Sequence, residues 1–341
     1  MKENPMKVLI TGTAGFIGFH LARLLLSEGF TVHGFDAMTD YYDVKLKQRR
    51  HQILLQSGGF SMTEGYLEKG VFFQSVATDF QPDVIVHLAA QAGVRYSLEN
   101  PRAYLDSNIV GTFNVMEAAR VLEVDHLLIA STSSVYGAND EMPFDELEKV
   151  DTPLTFYAAT KKANEAMAHS YAHLWNLPTT MFRFFTVYGP YGRPDLALFK
   201  FVDAMLDGRP IDIYNQGDMY RDFTYVEDLV RAIRLLIDAV PVRPETRDDI
   251  PEGDSLSPVA PYRVVNIGNS EKVSLLDFIS AIEDELGMKA ERNYMDMQKG
   301  DVPATWANAD LLQTLTGYKP QTNVREGISK FVVWYRDYYG K

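Results

Sequence analysis

A chain of 341 residues, 46% apolar and 12% aromatic, carries enough apolar surface for a real core, as one large domain or two modest ones. Its formal net charge of -13 argues against a nucleic-acid or anionic-membrane surface, so an anionic ligand has to be met by local Arg, Lys or backbone amides, and the expected partner is small. Zero cysteines exclude disulfides and thiolate metal sites; no metal cluster, signal-peptide core or bilayer-length apolar run is evident, and a soluble, cytoplasmic protein without metal is expected.

Lys7 to Thr11 is a short apolar run ending at glycine, and Phe16 to Glu28 has apolar residues at helical spacing, which reads as strand, turn and helix. The turn holds Gly12-x-x-Gly15-x-x-Gly18, whose missing side chains let the backbone approach a pyrophosphate while helix N-terminal amides face it. Thr31 to Phe35 is the next strand. It stops at Asp36, 18 residues past Gly18, where a carboxylate accepts both hydroxyls of a ribose and repels a 2′-phosphate. No Arg follows to offset that repulsion, so NAD is favoured over NADP; the plain alternative is that Asp36 caps the next helix.

Helical stretches at Tyr41 to Gln56, Arg102 to Leu122 and Phe156 to Trp175 alternate with strands at Val84 to Leu88, His126 to Ser131 and Thr179 to Phe184. This alternation predicts an α/β fold, a doubly wound parallel sheet with helices on both faces. After Thr186 the character changes. Gly189-Pro190-Tyr191-Gly192-Arg193-Pro194 is a turn-rich loop, and the mixed short elements beyond it predict a smaller substrate lobe. The expected division is 1–186 for the cofactor and 187–341 for the substrate, with some segments returning to the first domain. Val240 to Pro261, with five prolines, is expected to be a flexible insertion.

Two features point to proton transfer. Tyr157 and Lys161 stand one helical turn apart, placing a phenol and an ammonium on the same face. A free Tyr titrates near pH 10, so reaching neutrality takes roughly 3 pKa units, or about 4 kcal/mol. One cation about 4 Å away at an effective dielectric of about 20 is worth about that much, so Lys161, helped by an oxidised nicotinamide, is expected to draw the phenol toward phenolate. Ahead of this helix, Ser131-Thr132-Ser133-Ser134 supplies hydroxyls at a strand end.

The glycine loop, HLAA at His87 to Ala90, SVYG at Ser134 to Gly137, YAATK at Tyr157 to Lys161 and RDFTYVEDL at Arg221 to Leu229 occur in an order that resembles the extended short-chain dehydrogenases/reductases, the NAD-dependent epimerase/dehydratase family of nucleotide-sugar enzymes, over essentially the whole chain. Within that family, QAGVRYSLENP at Gln91 to Pro101, TVYGPYGRPDLALFKF at Thr186 to Phe201 and Gly300-Asp301-Val302-Pro303 are similar to the UDP-glucuronate 4-epimerases. The resemblance implies a Rossmann domain in which Gly12, Gly15, Phe16, Ile17, Gly18, Asp36, Leu67, Leu88, Ala89, Ala90, Asn108, Tyr157 and Lys161 bind NAD. By the same comparison Tyr157 is the general base, Lys161 holds the nicotinamide ribose and lowers the phenol pKa, and Thr132 hydrogen-bonds the reacting sugar hydroxyl. Asn108 packs near the catalytic helix. Arg95, Ser133, Ser134, Thr186, Ala197, Phe199, Arg221 and Asp301 contact the UDP-sugar, Tyr214 stacks on uracil and Arg193 faces the uronate carboxylate. Taken alone, Arg193 also reads as a solvated loop residue and Tyr214 as core.

Two positions depart from the family pattern. Tyr66 stands where an Asp usually meets the adenine amine, and Ala37 where many relatives have Asn, which puts the adenine contacts in question. The implied reaction is oxidation of C4 by NAD to a 4-keto sugar, followed by return of the hydride to the opposite face. Thr132-Ser133-Ser134 lacks the carboxylate that dehydratases (Thr-Asp-Glu) and UDP-xylose-forming decarboxylases (Thr-Ser-Glu) carry there. Epimerisation of a neutral UDP-sugar and a catalytically silent NAD-binding regulator are the competing readings; Arg193 speaks against the first, and retention of both Tyr157 and Lys161 against the second. The family's usual homodimer is expected through helices 102–122 and 156–175, although either helix serves equally to cover the sheet.

Overall fold

A computed structural model describes residues 5–341. Seven parallel strands form the central sheet: β1 (Lys7–Thr11), β2 (Thr31–Asp36), β3 (Phe60–Glu64), β4 (Val84–His87), β5 (His126–Ala130), β6 (Thr179–Phe184) and a seventh, Tyr262–Ile267. Their spatial order is Tyr262–Ile267, β6, β5, β4, β1, β2, β3. Successive side chains of a strand point to opposite faces, and here both faces are apolar: Val8 and Ile10 join one core, Leu9 the other. Helices Phe16–Ser27 and Val226–Asp238 cover the first face; Gly70–Phe80, Thr112–Leu122 and Phe156–Trp175 cover the second. A third core, around Phe199, Phe223, Phe278, Phe331 and Tyr335, holds the C-terminal lobe together.

The order of strands reverses between β1 and β4, which opens a crevice at their carboxyl ends. Gly12 leaves β1 with φ +84°, and a Cβ there would stand 2.8 Å from the Ala89 amide nitrogen, at the end of β4. A Cβ on Gly18 would lie 2.1 Å from the Gly12 carbonyl oxygen. Glycine is therefore required at both places by contact, before any ligand is considered.

Several elements differ from the sequence expectation. β3, with the pattern Phe-Ser-Met-Thr-Glu, is an edge strand with few apolar residues, and the seventh strand hides Arg263 and Asn266 in its run; neither shows as an apolar stretch. The predicted helix 41–56 is shorter, Val44–Leu54, because Asp43 caps it through the Lys45 amide at 2.9 Å. The predicted helix 102–122 is not continuous: Leu105–Gly111 is a π-helical turn between Pro101–Tyr104 and Thr112–Leu122. That wider turn carries Asn108, which reaches both the Gln91 backbone and Thr160. The segment 240–261 is irregular apart from one 3-10 turn, Arg247–Asp249, but its second half is pinned by polar contacts. Asp254 forms a buried two-bond pair with Arg263 at 2.8 and 2.9 Å, and Ser257 shares a hydrogen bond with His169. Among the described residues no helix is long and apolar enough to cross a membrane.

Candidate active site

A cavity of about 730 Å³ runs from the glycine loop across the carboxyl ends of β1, β4 and β5 to the segment 300–305. Of the residues singled out in the sequence, Gly12, Gly15, Phe16, Ile17, Gly18, Asp36, Leu88, Ala89, Ala90, Thr132, Ser133, Ser134, Tyr157, Lys161, Thr186, Arg193, Arg221 and Asp301 line it. Six others lie outside the lining. Leu67 is buried beneath the π-helical turn against Gly111, and Asn108 is wholly buried behind Gln91. Ala197 opens the helix Ala197–Leu206, while Phe199 is buried among Phe331, Tyr335 and Tyr339. Arg95 pairs with Asp301 at 2.9 Å and lies over the half-buried Tyr214 ring at 4.6 Å, so this cation and aromatic form an outer layer behind Asp301.

At the dinucleotide end, Asp36 accepts hydrogen bonds from the Ala14 and Met38 amides, both at 2.9 Å. It shapes the glycine loop and does not cap the following helix, the role held by Asp43. His87, at the end of β4, is locked between the Thr11 hydroxyl at 2.7 Å and the Thr112 hydroxyl at 2.9 Å, and burial lowers its pKa to about 3. Thr11 in turn accepts from the Leu88 and Ala89 amides at 3.2 Å, so the crevice walls are cross-braced by neutral groups. The glycine cradle and the ribose-side carboxylate fit a dinucleotide. Ala37 lines the cavity and Tyr66 is half exposed beyond the end of β3, leaving the adenine end without a carboxylate at that position. Asp36→Ala is expected to weaken NAD and to narrow its margin over NADP, because acceptor and repulsion vanish together. Calorimetry with both dinucleotides checks this; an unchanged affinity ratio would mean that Asp36 serves only the loop.

At the chemical end, Thr155 caps the helix Phe156–Trp175 by accepting from the Ala158 amide at 3.2 Å, and the small residues Ala168 and Ala172 seat its inner face on the sheet. Tyr157 therefore enters the cavity at a fixed angle, its ring edge-on to Tyr104 at 5.9 Å. The expectation for its phenol needs correcting. Burial raises its pKa, and the groups that pull it down are the Thr132 hydroxyl and the Arg193 charge. The Lys161 ammonium donates to the Ala130 carbonyl oxygen at 3.0 Å, and burial lowers its pKa to about 8. Helical spacing puts Lys161 on the right face, but the end of β5 captures its ammonium.

The same helix face continues to Glu165, one turn beyond Lys161. Its carboxylate accepts from Arg183 Nε at 3.0 Å and Nη2 at 2.9 Å and from the Ser131 hydroxyl at 2.7 Å, all buried. This pair bolts the helix Phe156–Trp175 to β6 and to the strand end that presents Thr132. The Tyr157, Lys161, Glu165 spacing was the available signal for it.

The loop after Ser134 closes one side of the cavity and is anchored by Glu146, which accepts from the Asn266 amide at 2.7 Å. Burial raises the Glu146 pKa to about 7, against an ordinary value of 4.5. Folded protein thus holds this proton more tightly than unfolded chain, so the contribution to stability is complete below the unfolded value and is lost as pH rises through about 7. Glu146→Gln keeps the acceptor and removes the titration. Its stability is expected to match wild type near pH 4.5 and to exceed it by about 3 kcal/mol near pH 8, read from thermal melts. An equal difference at both pH values would rule out Glu146 as the titrating group.

Arg193, from the turn-rich loop, reaches the cavity with its side chain mostly buried and paired to Asp195, which also receives the Tyr41 hydroxyl at 3.4 Å. Burial by itself would raise the Asp195 carboxyl; the Arg193 charge and hydrogen bonds hold it below its ordinary value. Asp195, Tyr41, Tyr42 and Lys47 were not singled out in the sequence, since nothing in their spacing links residues 41–47 to residues 193–195.

The NAD dependent epimerase/dehydratase family model matches residues 8–248. A probable UDP-glucuronate 4-epimerase of Rhizobium meliloti is 56% identical over 98% of both chains. UDP-glucuronate 4-epimerase 1 of Arabidopsis thaliana is 42% identical over 99% of this chain and 79% of its own. Among solved structures, UDP-glucuronic acid 4-epimerase from Bacillus cereus, in complex with UDP-glucuronic acid and NAD, is 32% identical, covers 98% of this chain and 100% of its own, and superposes with a TM-score of 0.86.

Proposed function

The chain belongs to the NAD-dependent epimerase/dehydratase family, and on that premise we propose that it interconverts UDP-glucuronate and UDP-galacturonate by NAD-dependent epimerisation at C4. The observation that carries the uronate is Arg193, a guanidinium that lines the same cavity as Tyr157 and lies near enough for its charge to act on the phenol.

When bound, NAD supplies the hydride acceptor and donor and a positive nicotinamide charge. Tyr157 takes the C4 hydroxyl proton as hydride leaves, and returns it when the 4-ketone, turned in the site, is reduced on its other face. Thr132 hydrogen-bonds the reacting oxygen, and Lys161 holds the ribose. Ser133, Ser134, Thr186 and Arg193 meet the carboxylate end of the sugar, while Arg221 and Asp301 meet the nucleotide, with Arg95 and Tyr214 behind them. A 4-ketone makes the C6 carboxylate a β-keto acid, prone to lose carbon dioxide. A charge-paired, hydrogen-bonded carboxylate is restrained from the perpendicular, desolvated geometry that loss requires. No carboxylate stands among Thr132, Ser133 and Ser134 to drive elimination instead.

The test is incubation with UDP-glucuronate followed by NMR. UDP-galacturonate should accumulate to an equilibrium mixture with no net consumption of NAD; a UDP-pentose or an unchanged spectrum would overturn the reading.

Division into a cofactor domain, 1–186, and a substrate domain, 187–341, belongs to the same reading, with Val226–Asp238 and Tyr262–Ile267 returning to the first. So does a cytoplasmic homodimer. NAD and nucleotide sugars are intracellular metabolites, and the dimer is supported by exposed apolar residues along the second sheet face: Val110, Phe113 and Val121, with Phe156, Leu174 and Trp175. Phe113→Asp is expected to halve the mass measured by light scattering; a wild-type protein of monomer mass would dismiss the dimer.

A further inference from the structure

Arg50, on helix Val44–Leu54, is completely buried. Its Nη1 donates to the Ala14 carbonyl oxygen and to the Tyr42 hydroxyl, each at 2.7 Å, and its Nη2 to the Tyr191 carbonyl oxygen at 2.6 Å and weakly to that of Gly192 at 3.5 Å. Nε has no partner. All four acceptors are neutral oxygens. Burying a guanidinium against carbonyls and a phenol is costly, and an apolar side chain of similar volume would fill this space with less penalty. The arrangement asks for a reason other than packing.

The location of the acceptors supplies one. Ala14 lies inside the glycine loop, between Gly12 and Gly15, whereas Tyr191 and Gly192 are the two residues immediately before Arg193. One planar group therefore joins the backbone of the dinucleotide cradle to the backbone of the loop that carries the uronate-facing arginine. That loop does not hold its shape by itself. Tyr191 has φ +56°, a conformation disfavoured for a residue with a side chain, so surrounding contacts must over-determine it. They come from the helices Phe16–Ser27 and Val324–Tyr339 as well as from Arg50: the Tyr191 ring packs on Phe19 at 4.9 Å and Trp334 at 5.0 Å, and His20 shares a 2.8 Å hydrogen bond with the Pro190 carbonyl oxygen. Burial holds His20 neutral, with a pKa lowered to about 3, so this brace stays uncharged at physiological pH.

We infer that Arg50 is a positioning residue that sets Arg193 against the substrate carboxylate and links that placement to the glycine loop. The inference rests on the reading of Arg193 given above. Arg50 does not line the cavity; it acts through two backbones. Its fork is what permits this, because two nitrogens point at two loops at once, whereas a Lys ammonium is a point charge that serves one loop or the other.

The experiment uses NAD-loaded protein in a Tyr157→Phe background, so that no turnover disturbs binding, and measures calorimetric affinities for UDP-glucuronate and for UDP-glucose, which lacks the carboxylate. Arg50→Lys is expected to lower the preference for the uronate about tenfold. UDP-glucose affinity should change by less than about twofold, and in combination with Arg193→Ala the Lys substitution should add nothing further. An unchanged preference in Arg50→Lys, beside a lost preference in Arg193→Ala, overturns the role of Arg50 alone. Equal weakening of both sugars, or additive effects in the double variant, overturns it too, since either marks a general structural role. If Arg193→Ala leaves the preference intact, the reading of Arg193 falls and Arg50 with it. Should Arg50→Lys fail to fold, Tyr42→Phe keeps the charge and deletes one acceptor; a shift of about threefold in the same direction is expected, and none overturns the inference.

Discussion

Tyr157→Phe is expected to reduce turnover of UDP-glucuronate by at least about 10²- to 10⁴-fold while NAD and UDP-sugar affinities stay near wild type. The substitution removes one oxygen and leaves the ring edge-on to Tyr104, so the helix and the cavity wall are preserved. No neighbour replaces the phenol: the Lys161 ammonium is directed at the Ala130 carbonyl oxygen, and Thr132 accepts from the Ser134 amide and donates to the Ser134 hydroxyl. Residual activity within about tenfold of wild type would remove Tyr157 from the mechanism.

Arg193→Ala is expected to weaken uronate binding by about 2 to 5 kcal/mol and to let part of the 4-keto intermediate lose carbon dioxide. The structure adds a second cause to the first. Truncation removes the cation proposed to pair with the substrate carboxylate, and it also strips Asp195 of its partner, leaving one carboxylate near another. Adding Asp195→Asn should therefore recover part of the binding while the leak of carbon dioxide persists, since only the repulsion has been relieved. UDP-glucose should bind the wild type and both variants about equally. The product profile is the decisive measurement: a UDP-4-keto-pentose beside UDP-galacturonate supports the restraint, and an unaltered preference for the uronate reduces the reading to a generic UDP-sugar 4-epimerase.

Local pattern was enough to place side chains wherever the site is built from contiguous residues. The glycine loop, Asp36 at a strand end and the Tyr157–Lys161 turn are each built from one element and its immediate neighbour, so spacing along the chain already determines which side chains share a face. The alternation of apolar strands with amphipathic helices likewise determined the doubly wound sheet, because right-handed crossovers leave few other arrangements. Three kinds of fact were decided only by tertiary structure. Polar edge strand β3 and the polar-bearing strand Tyr262–Ile267 are strands because of their partners, β2 and β6, rather than their own composition. The direction of the Lys161 ammonium and the raised phenol pKa depend on burial and on the Ala130 carbonyl, which no helical wheel contains. Finally, Asp195 with Tyr41, Glu165 with Arg183, and Arg50 with Ala14 and Tyr191 join segments that only folding brings together, and the two ends of such a contact stand up to 141 positions apart along the chain. Hydrogen bonds and ion pairs act over a few ångströms of space regardless of chain separation, so sequence determined the parts of this site and tertiary structure decided their charge states and their coupling.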